Sequence, residues 1–385
     1  MVDFSERAAL CALNRIFGYY PSSSRRLLEL YGSASEVMGT PGEEVARSLR
    51  EGRECAAQIG PDALRWAEQE LEKTADEGGR FVCYGDDDYP ALLAECPDAP
   101  LGIYSRCGSS LTEALSMRPC VGIVGTRDMS PYGKEWCRKI VSALADTEAA
   151  PVIVSGLAFG IDATAHTAAL DFGLPTVGVM ATGIDTVYPW RHSSLAKRML
   201  ETPGCALVTD YPLGSSPLAL NFIRRNRIIA GLCFATVVIE SRSKGGSLIT
   251  AKYAADYNRD VYALPGRADD IRSRGCNSLI RSHMADIITD PYGLAEQMGL
   301  RVLSRRKKAD LLEEIGSRYG SRPDFALLRD ICLLIKDNRG ISVEELCQRT
   351  SLGYGSLMGL TGILESDGFI ATDLLGRCSI VTKKD

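Results

Sequence analysis

From the N-terminus to about residue 75, apolar residues recur at spacings of three and four. Gly18–Pro21, Thr40–Gly42 and Gly60–Pro61 interrupt them, which predicts a set of short helices. From Phe81 the pattern changes. Val121–Val124, Pro151–Val154, Thr176–Met180, Ala206–Val208, Thr236–Glu240 and Asp260–Ala263 are short, rich in Val and Ile, and bounded by Gly or Asp, so they read as strands. Lys134–Ala145, Ala163–Ala169 and Leu248–Tyr257 lie between them with helical spacing. Strands alternating with helices predict an α/β fold: a parallel, Rossmann-like doubly wound sheet with helices on both faces.

After Gly299 the sequence Arg-Val-Leu-Ser-Arg-Arg-Lys-Lys forms a basic connector that leads through a polar stretch to Arg322-Pro323. Helical spacing then returns at Phe325–Lys336, Val343–Arg349 and Tyr354–Ser366, followed by two short strands around Gly376, which is winged-helix order. The expected organisation is a small helical domain at 1–78, a Rossmann-like domain at 79–298, a basic and polar linker at 299–323, and a winged-helix domain at 324–385.

Composition adds exclusions. The 385 residues are 45% hydrophobic and 24% charged, as in a soluble globular protein. No apolar run approaches the ~18–20 residues needed to span a bilayer, and the acidic start lacks a signal-peptide layout. The 13 cysteines form no C-x-x-C pair and there are three histidines, which argues against a disulfide framework or a zinc site. A cytoplasmic protein without metal, cofactor or membrane partner is expected.

Net charge is −5, which excludes a uniformly basic coat. By segment, residues 1–120 carry 12 basic and 20 acidic side chains, and residues 121–290 carry 18 and 16. The excess acid lies in the N-terminal part, and the middle has arginines gathered on a few segments.

Three glycine-bearing turns follow predicted strands. They are Val121-Gly-Ile-Val-Gly-Thr-Arg127, Val154-Ser-Gly-Leu-Ala-Phe-Gly-Ile-Asp162 with His166 beyond it, and Lys244-Gly-Gly-Ser-Leu-Ile-Thr250. Arg127 offers a planar cationic fork suited to phosphate. The amides of the second and third turns, with Gly156, Lys244, Gly245 and Gly246, stand where a helix begins and could cradle an anion. Each turn alone is equally compatible with ordinary turn chemistry, and Asp162 with an N-cap. None spells G-x-G-x-x-G or the P-loop, so no nucleotide cofactor is expected.

Asn221-Phe-Ile-Arg-Arg-Asn-Arg-Ile-Ile-Ala-Gly231 places Arg224, Arg225 and Arg227 beside Phe222, a pairing of cations and a stacking face that suits single-stranded nucleic acid. At least one of these arginines is expected to brace the sheet, since Arg-Asn-Arg before Ile-Ile-Ala reads as a helix start. Arg267, Arg272, Arg274 and Arg281 form a further basic segment tempered by Asp269 and Asp270. No G-x-S-x-G elbow, paired glutamates or metal triad is present, and His166, His192 and His283 have no evident catalytic partners, so no catalytic residues are assigned.

A series of short words resembles one family, DNA-processing protein A (DprA, also called Smf). They are Tyr89-Pro90, Asp98-Ala-Pro-Leu101, Val-Gly-Thr-Arg127, Ser155-Gly-Leu-Ala-x-Gly-Ile-Asp162-x-x-x-His166, Tyr188-Pro189 and Phe222-x-x-Arg225-Asn-Arg-Ile-Ile-Ala-Gly231. Gly246-Ser247-x-x-Thr250-Ala251, Pro265-Gly266 and Gly275-Cys-Asn-x-Leu-Ile280 complete a series in the family's order over about 200 residues. The resemblance implies an extended Rossmann domain, flanked by a SAM-like helical domain and a winged helix as variable accessories. It also implies sequence-independent binding of single-stranded DNA in natural transformation, a homodimer, and loading of a RecA-type recombinase, without enzymatic activity.

The family's phosphate-contacting positions match Arg127, Gly156, Arg224 and Lys244–Gly245. The chain departs from the family at Ile223, where Pro is usual, at Asp210, where Glu is usual, and at His283-Met284, which replaces a Gly.

Two other readings use the same fold. A nucleotide-handling enzyme would carry a Pro-Gly-Gly-x-Gly-Thr-x-x-Glu loop, absent here. A winged-helix regulator would need basic side chains on its recognition helix, and Tyr354–Asp367 has no Lys or Arg. The C-terminal domain is therefore expected to contact protein or another domain, not duplex DNA.

Overall fold

The computed structural model describes residues 3–108, 111–115, 118–303, 311–338, 340–373 and 376–381. The chain forms two compact units, residues 1–303 and 304–385. The first begins with helices α1 (Phe4–Ile16), α2 (Pro21–Tyr31), α3 (Ala34–Gly39), α4 (Gly42–Ser48) and α5 (Pro61–Asp76). Asp3 caps α1 by accepting from the Glu6 amide at 2.9 Å, and Pro21 and Pro61 open α2 and α5, where a missing N–H costs nothing. Their apolar faces, with Leu13, Phe17 and Leu27, share one core with Phe81, Tyr104 and Leu207 of the sheet. The helical segment is thus packed into the same unit as the sheet.

The sheet has strands β1 (Arg80–Cys83), β2 (Gly102–Cys107), β3 (Cys120–Gly125), β4 (Val152–Ser155), β5 (Thr176–Val179), β6 (Ala206–Thr209), β7 (Ala235–Ile239), β8 (Asp260–Ala263) and β9 (Asp286–Ile287). Their order is β1-β2-β6-β5-β4-β3-β7-β8-β9, parallel from β6 to β9, with β1 and β2 antiparallel at one edge. The helices that follow α5 in this unit are α6 (Ala91–Ala94), α7 (Leu111–Leu115), α8 (Pro131–Ala145), α9 (Ile161–Asp171), α10 (Ser193–Leu200), α11 (Ala219–Leu232), α12 (Gly246–Asp256), α13 (Arg274–Arg281) and α14 (Pro291–Gln297). The six strands and three helices expected from the pattern are all present within a few residues. One helix differs from its expectation. Arg224, Arg225 and Arg227 lie in the body of α11, not at its start, because the helix begins at Ala219 behind Leu218, which offers no side-chain cap to mark the boundary.

From β3 the chain builds outward through β4, β5 and β6, then crosses to the other side of β3 to form β7. The carboxyl ends of β3 and β7 therefore diverge into loops on opposite sides, and open α/β sheets leave a crevice at such a switch point. β4, β3 and β7 are neighbours, so the three glycine-bearing turns emerge side by side. Among the described residues no helix is long and apolar enough to cross a membrane. The cysteines are unpaired and mostly buried, acting as small core residues.

The second unit contains α15 (Leu311–Tyr319), α16 (Phe325–Asp337), α17 (Val343–Thr350) and α18 (Tyr354–Ser366), with β10 (Ile341–Ser342), β11 (Ile370–Thr372) and β12 (Arg377–Ile380) in the antiparallel order β10-β12-β11. It has its own core, including Leu328, Ile331, Leu346, Leu357 and Leu364. Ser342 and Glu345 form a reciprocal capping box at the start of α17. The stretch expected as a polar linker holds α15, whose Ile315 and Tyr319, four residues apart, are buried in that core. Val302 still pairs with Thr147 of the first unit, and the basic residues of 304–308 lie outside the described residues.

Candidate functional site

A crevice of about 610 Å³ lies at the switch point, lined among others by Arg127, Phe222, Arg225, Arg242, Lys244 and Ser247. Arg127 stands two residues past β3, exposed, with its guanidinium 5.0 Å from the centre of the Phe222 ring. Lys244 is exposed on the turn after β7, and Gly245, Gly246 and Ser247 bring the start of α12 to the crevice wall. That end of a helix favours anions. Among the described residues neither Arg127 nor Lys244 forms an ion pair.

Arg225 lies at the bottom of the crevice, only 3% exposed. Its Nη1 donates to the Val179 carbonyl at 2.7 Å, at the end of β5, while its Nε has no partner among the described residues. Burial pushes its pKa down to about 10, with the Asp162 charge acting against the shift, so it stays a cation at neutral pH. Gly156 explains how the guanidinium fits. A Cβ there would stand 1.8 Å from Nη1, so any larger residue would displace the guanidinium from this seat. Gly156 is therefore the pad under Arg225 and is not among the lining residues.

Asp162 occupies the second position of α9, and Gly160, with φ +78, is the cap residue. A side chain at Gly160 would meet the Thr126 carbonyl at 2.3 Å. Asp162 lines the crevice and accepts from the Ala158 amide at 3.4 Å, and burial raises its pKa against the opposing charge of Arg225. Sequence reasoning missed Glu240. It ends an apolar strand in the left-handed region at φ +50, where a non-glycine residue is strained, and its carboxylate is buried. That carboxylate accepts from the Ser130 amide at 2.8 Å and from the Ser130 hydroxyl, while the Glu240 carbonyl accepts from the Thr126 amide at 2.9 Å. Glu240 thus ties β7 to the β3 loop and to the start of α8, fixing the walls on which Arg127 and Lys244 stand.

The other two arginines of α11 do not reach the crevice lining. Arg224 donates to the Gly18 carbonyl at 2.6 Å and lies 4.7 Å from the centre of the Tyr19 ring, so the turn between α1 and α2 holds it. Arg227, expected in the DNA-binding set, is 3% exposed and pairs with Asp210 at 2.5 Å and with the Asp98 carbonyl, which makes it the brace. Asp210, in place of the usual Glu, reaches its partner with the shorter side chain. Asp128, on the crevice rim, is bracketed by Arg242 at 3.3 Å and Arg272 at 3.0 Å.

His166 is fully buried against Thr176 Oγ1 at 2.7 Å. His283 takes φ +56 just beyond α13, where the Met284 and His283 amides close a Schellman motif onto the Leu279 and Ile280 carbonyls. The backbone that Gly would favour is thus kept without it. Ile223 is exposed on α11.

The family model described as DNA recombination-mediator protein A matches residues 80–299. Protein Smf of Synechocystis is 38% identical over 244 residues, which are 63% of this chain and 60% of that one. The putative DNA processing protein DprA of Mycobacterium tuberculosis is 33% identical over 353 residues, 84% of each chain. The X-ray structure of DNA processing protein A from Streptococcus pneumoniae superposes with a TM-score of 0.61 at 32% identity, over 74% of this chain and 95% of that one. The match to the Smf relatives of Synechocystis and Escherichia coli spans about 60% of their length.

Proposed function

Since the chain belongs to the DNA recombination-mediator protein A family, we propose that it binds single-stranded DNA without sequence preference, as a non-enzymatic mediator in DNA processing and natural transformation. The observation that carries this reading is the buried Arg225 guanidinium at the bottom of an open crevice, with Arg127, Lys244 and the start of α12 around it. A buried cation without a carboxylate bonded to it gains most from an anion that enters the crevice. Phosphates supply that charge repeatedly along a strand, and Phe222 beside Arg127 offers a face on which any base can stack.

The DNA-binding set consists of Arg127, Arg225, Lys244, Gly245 and Gly246 in contact with the strand, with Gly156 acting through Arg225 and Arg224 at the outer rim. In this reading the protein dimerises, which repeats the site, shields the strand, and offers a surface to a RecA-type recombinase. The second unit is read as a winged helix that meets protein, because α18 presents no cation to phosphate.

Arg127→Ala and Lys244→Ala should each weaken binding to oligo-dT and to mixed sequences alike. Each should lower the slope of log K against log salt by about 1. Unchanged affinity in both variants would remove the site assignment. Faster recombinase filament assembly on the bound strand tests the mediator role.

A further inference from the structure

Trp190 is the most exposed large apolar side chain among the described residues, at 75%. Its mount is fixed. It begins the 3-10 turn Trp190–His192, where the Ser193 hydroxyl donates to the Trp190 carbonyl at 2.6 Å. His192 Nδ1 lies 2.8 Å from the Leu157 carbonyl, and its ring meets Phe159 edge-on at 4.9 Å, so the turn is pinned to the glycine loop after β4.

A row of rings that starts in the crevice ends two residues before the indole. Arg127 lies over Phe222, the Phe222 ring is 5.5 Å from Tyr188, and Tyr188 is exposed two residues before Trp190. The Arg191 guanidinium stands 5.8 Å from the centre of the Trp190 ring. Aromatic faces with a cation at each end suit a polyanion whose every monomer carries a flat ring.

We propose that Trp190 is a base-stacking platform for a single strand leaving the crevice, which runs from Arg127 over Phe222 and Tyr188 onto the 188–192 turn. This rests on the proposed function and gives the strand a direction. An indole in water is otherwise a liability, and holding it rigidly on an exposed turn lowers the entropy lost when a base stacks on it.

Trp190→Ala, measured by fluorescence anisotropy of a labelled oligo-dT on the full chain, should lose about tenfold in affinity with the salt slope unchanged, because stacking releases no counterions. Trp190→Phe should recover most of the loss. In a Trp66→Phe, Trp136→Phe chain, Trp190 is the sole indole of the original three, and its emission should be quenched in step with binding. Full oligo-dT affinity in Trp190→Ala, while Arg127→Ala weakens it, would overturn the platform and leave the crevice standing. Full affinity in Trp190→Ala with loss of recombinase stimulation would overturn it in favour of a protein contact. A parent chain that binds no oligo-dT would remove both readings.

Discussion

Arg225 and Arg227 are both buried in α11, but only Arg227 has a carboxylate bonded to it. Two residues apart on a helix, they point about 200° apart, one toward the crevice and the other toward Asp210. The spacing Arg-x-Arg therefore separates a cation that lines the crevice from one that braces the fold. His166 is a second residue whose surroundings decide its role. Burial, reinforced by the Arg225 charge, pushes its pKa down from 6.5 to about 3, so it folds neutral. The unfolded chain takes up a proton near pH 6.5 and the folded chain does not until about pH 3. The stability it contributes is thus complete above pH 6.5 and is lost as pH falls toward 3, at up to about 1.4 kcal/mol per pH unit. Asp162, raised by burial, acts with the opposite sign. Urea unfolding at pH 7, 6 and 5 should show a shallower decline in His166→Gln than in the parent, and the difference isolates the histidine from Asp162. Parallel declines would contradict its burial as a neutral group.

At the scale of elements, the crevice depends on loops from β3, β4 and β7 meeting at the carboxyl ends of these central strands. Their basic side chains are not equally available, because Asp128 on the β3 loop bridges Arg242 from the β7 loop and Arg272 beyond β8. These pairs are exposed, and such pairs contribute ~0–1 kcal/mol, so they yield readily to a phosphate. Asp128→Asn should free Arg242, loosen Arg272, whose Nε still donates to the Asp128 backbone carbonyl at 3.0 Å, and remove one negative charge beside the crevice. Oligo-dT affinity at low salt should rise about two- to fivefold, a gain that shrinks as salt screens it. An unchanged or weaker affinity would place the strand away from this rim. The left-handed Glu240 matters on the same scale, because it ties the end of β7 to the β3 loop and the start of α8 without lining the crevice itself.

The whole molecule divides into a unit that contains the crevice and a second unit with its own core. A chain ending at residue 303 should keep oligo-dT affinity within about threefold, since all the crevice cations lie in the first unit and α18 has none to add. A tenfold loss in that truncation would give the second unit a share in binding. The sequence by itself determined the alternation of strands and helices, the parallel part of the sheet from β3 to β8 and the position of the three glycine-bearing turns, because short Val- and Ile-rich runs and helical spacing are local properties of the chain; the antiparallel β1 and β2 were not among the strands it marked. It also located the cations, through Arg127, Lys244 and the arginines of 224–227. It could not assign Arg225 to the crevice, Arg227 to Asp210 and Arg224 to Gly18, because partners about 17 and 206 positions away are brought together only by tertiary packing. Nor could it reveal Gly156 as the pad for Arg225, Glu240 as the clamp, or α15 within the expected linker. Those depend on close approach, backbone strain and a shared core, which exist only once the elements have been brought together.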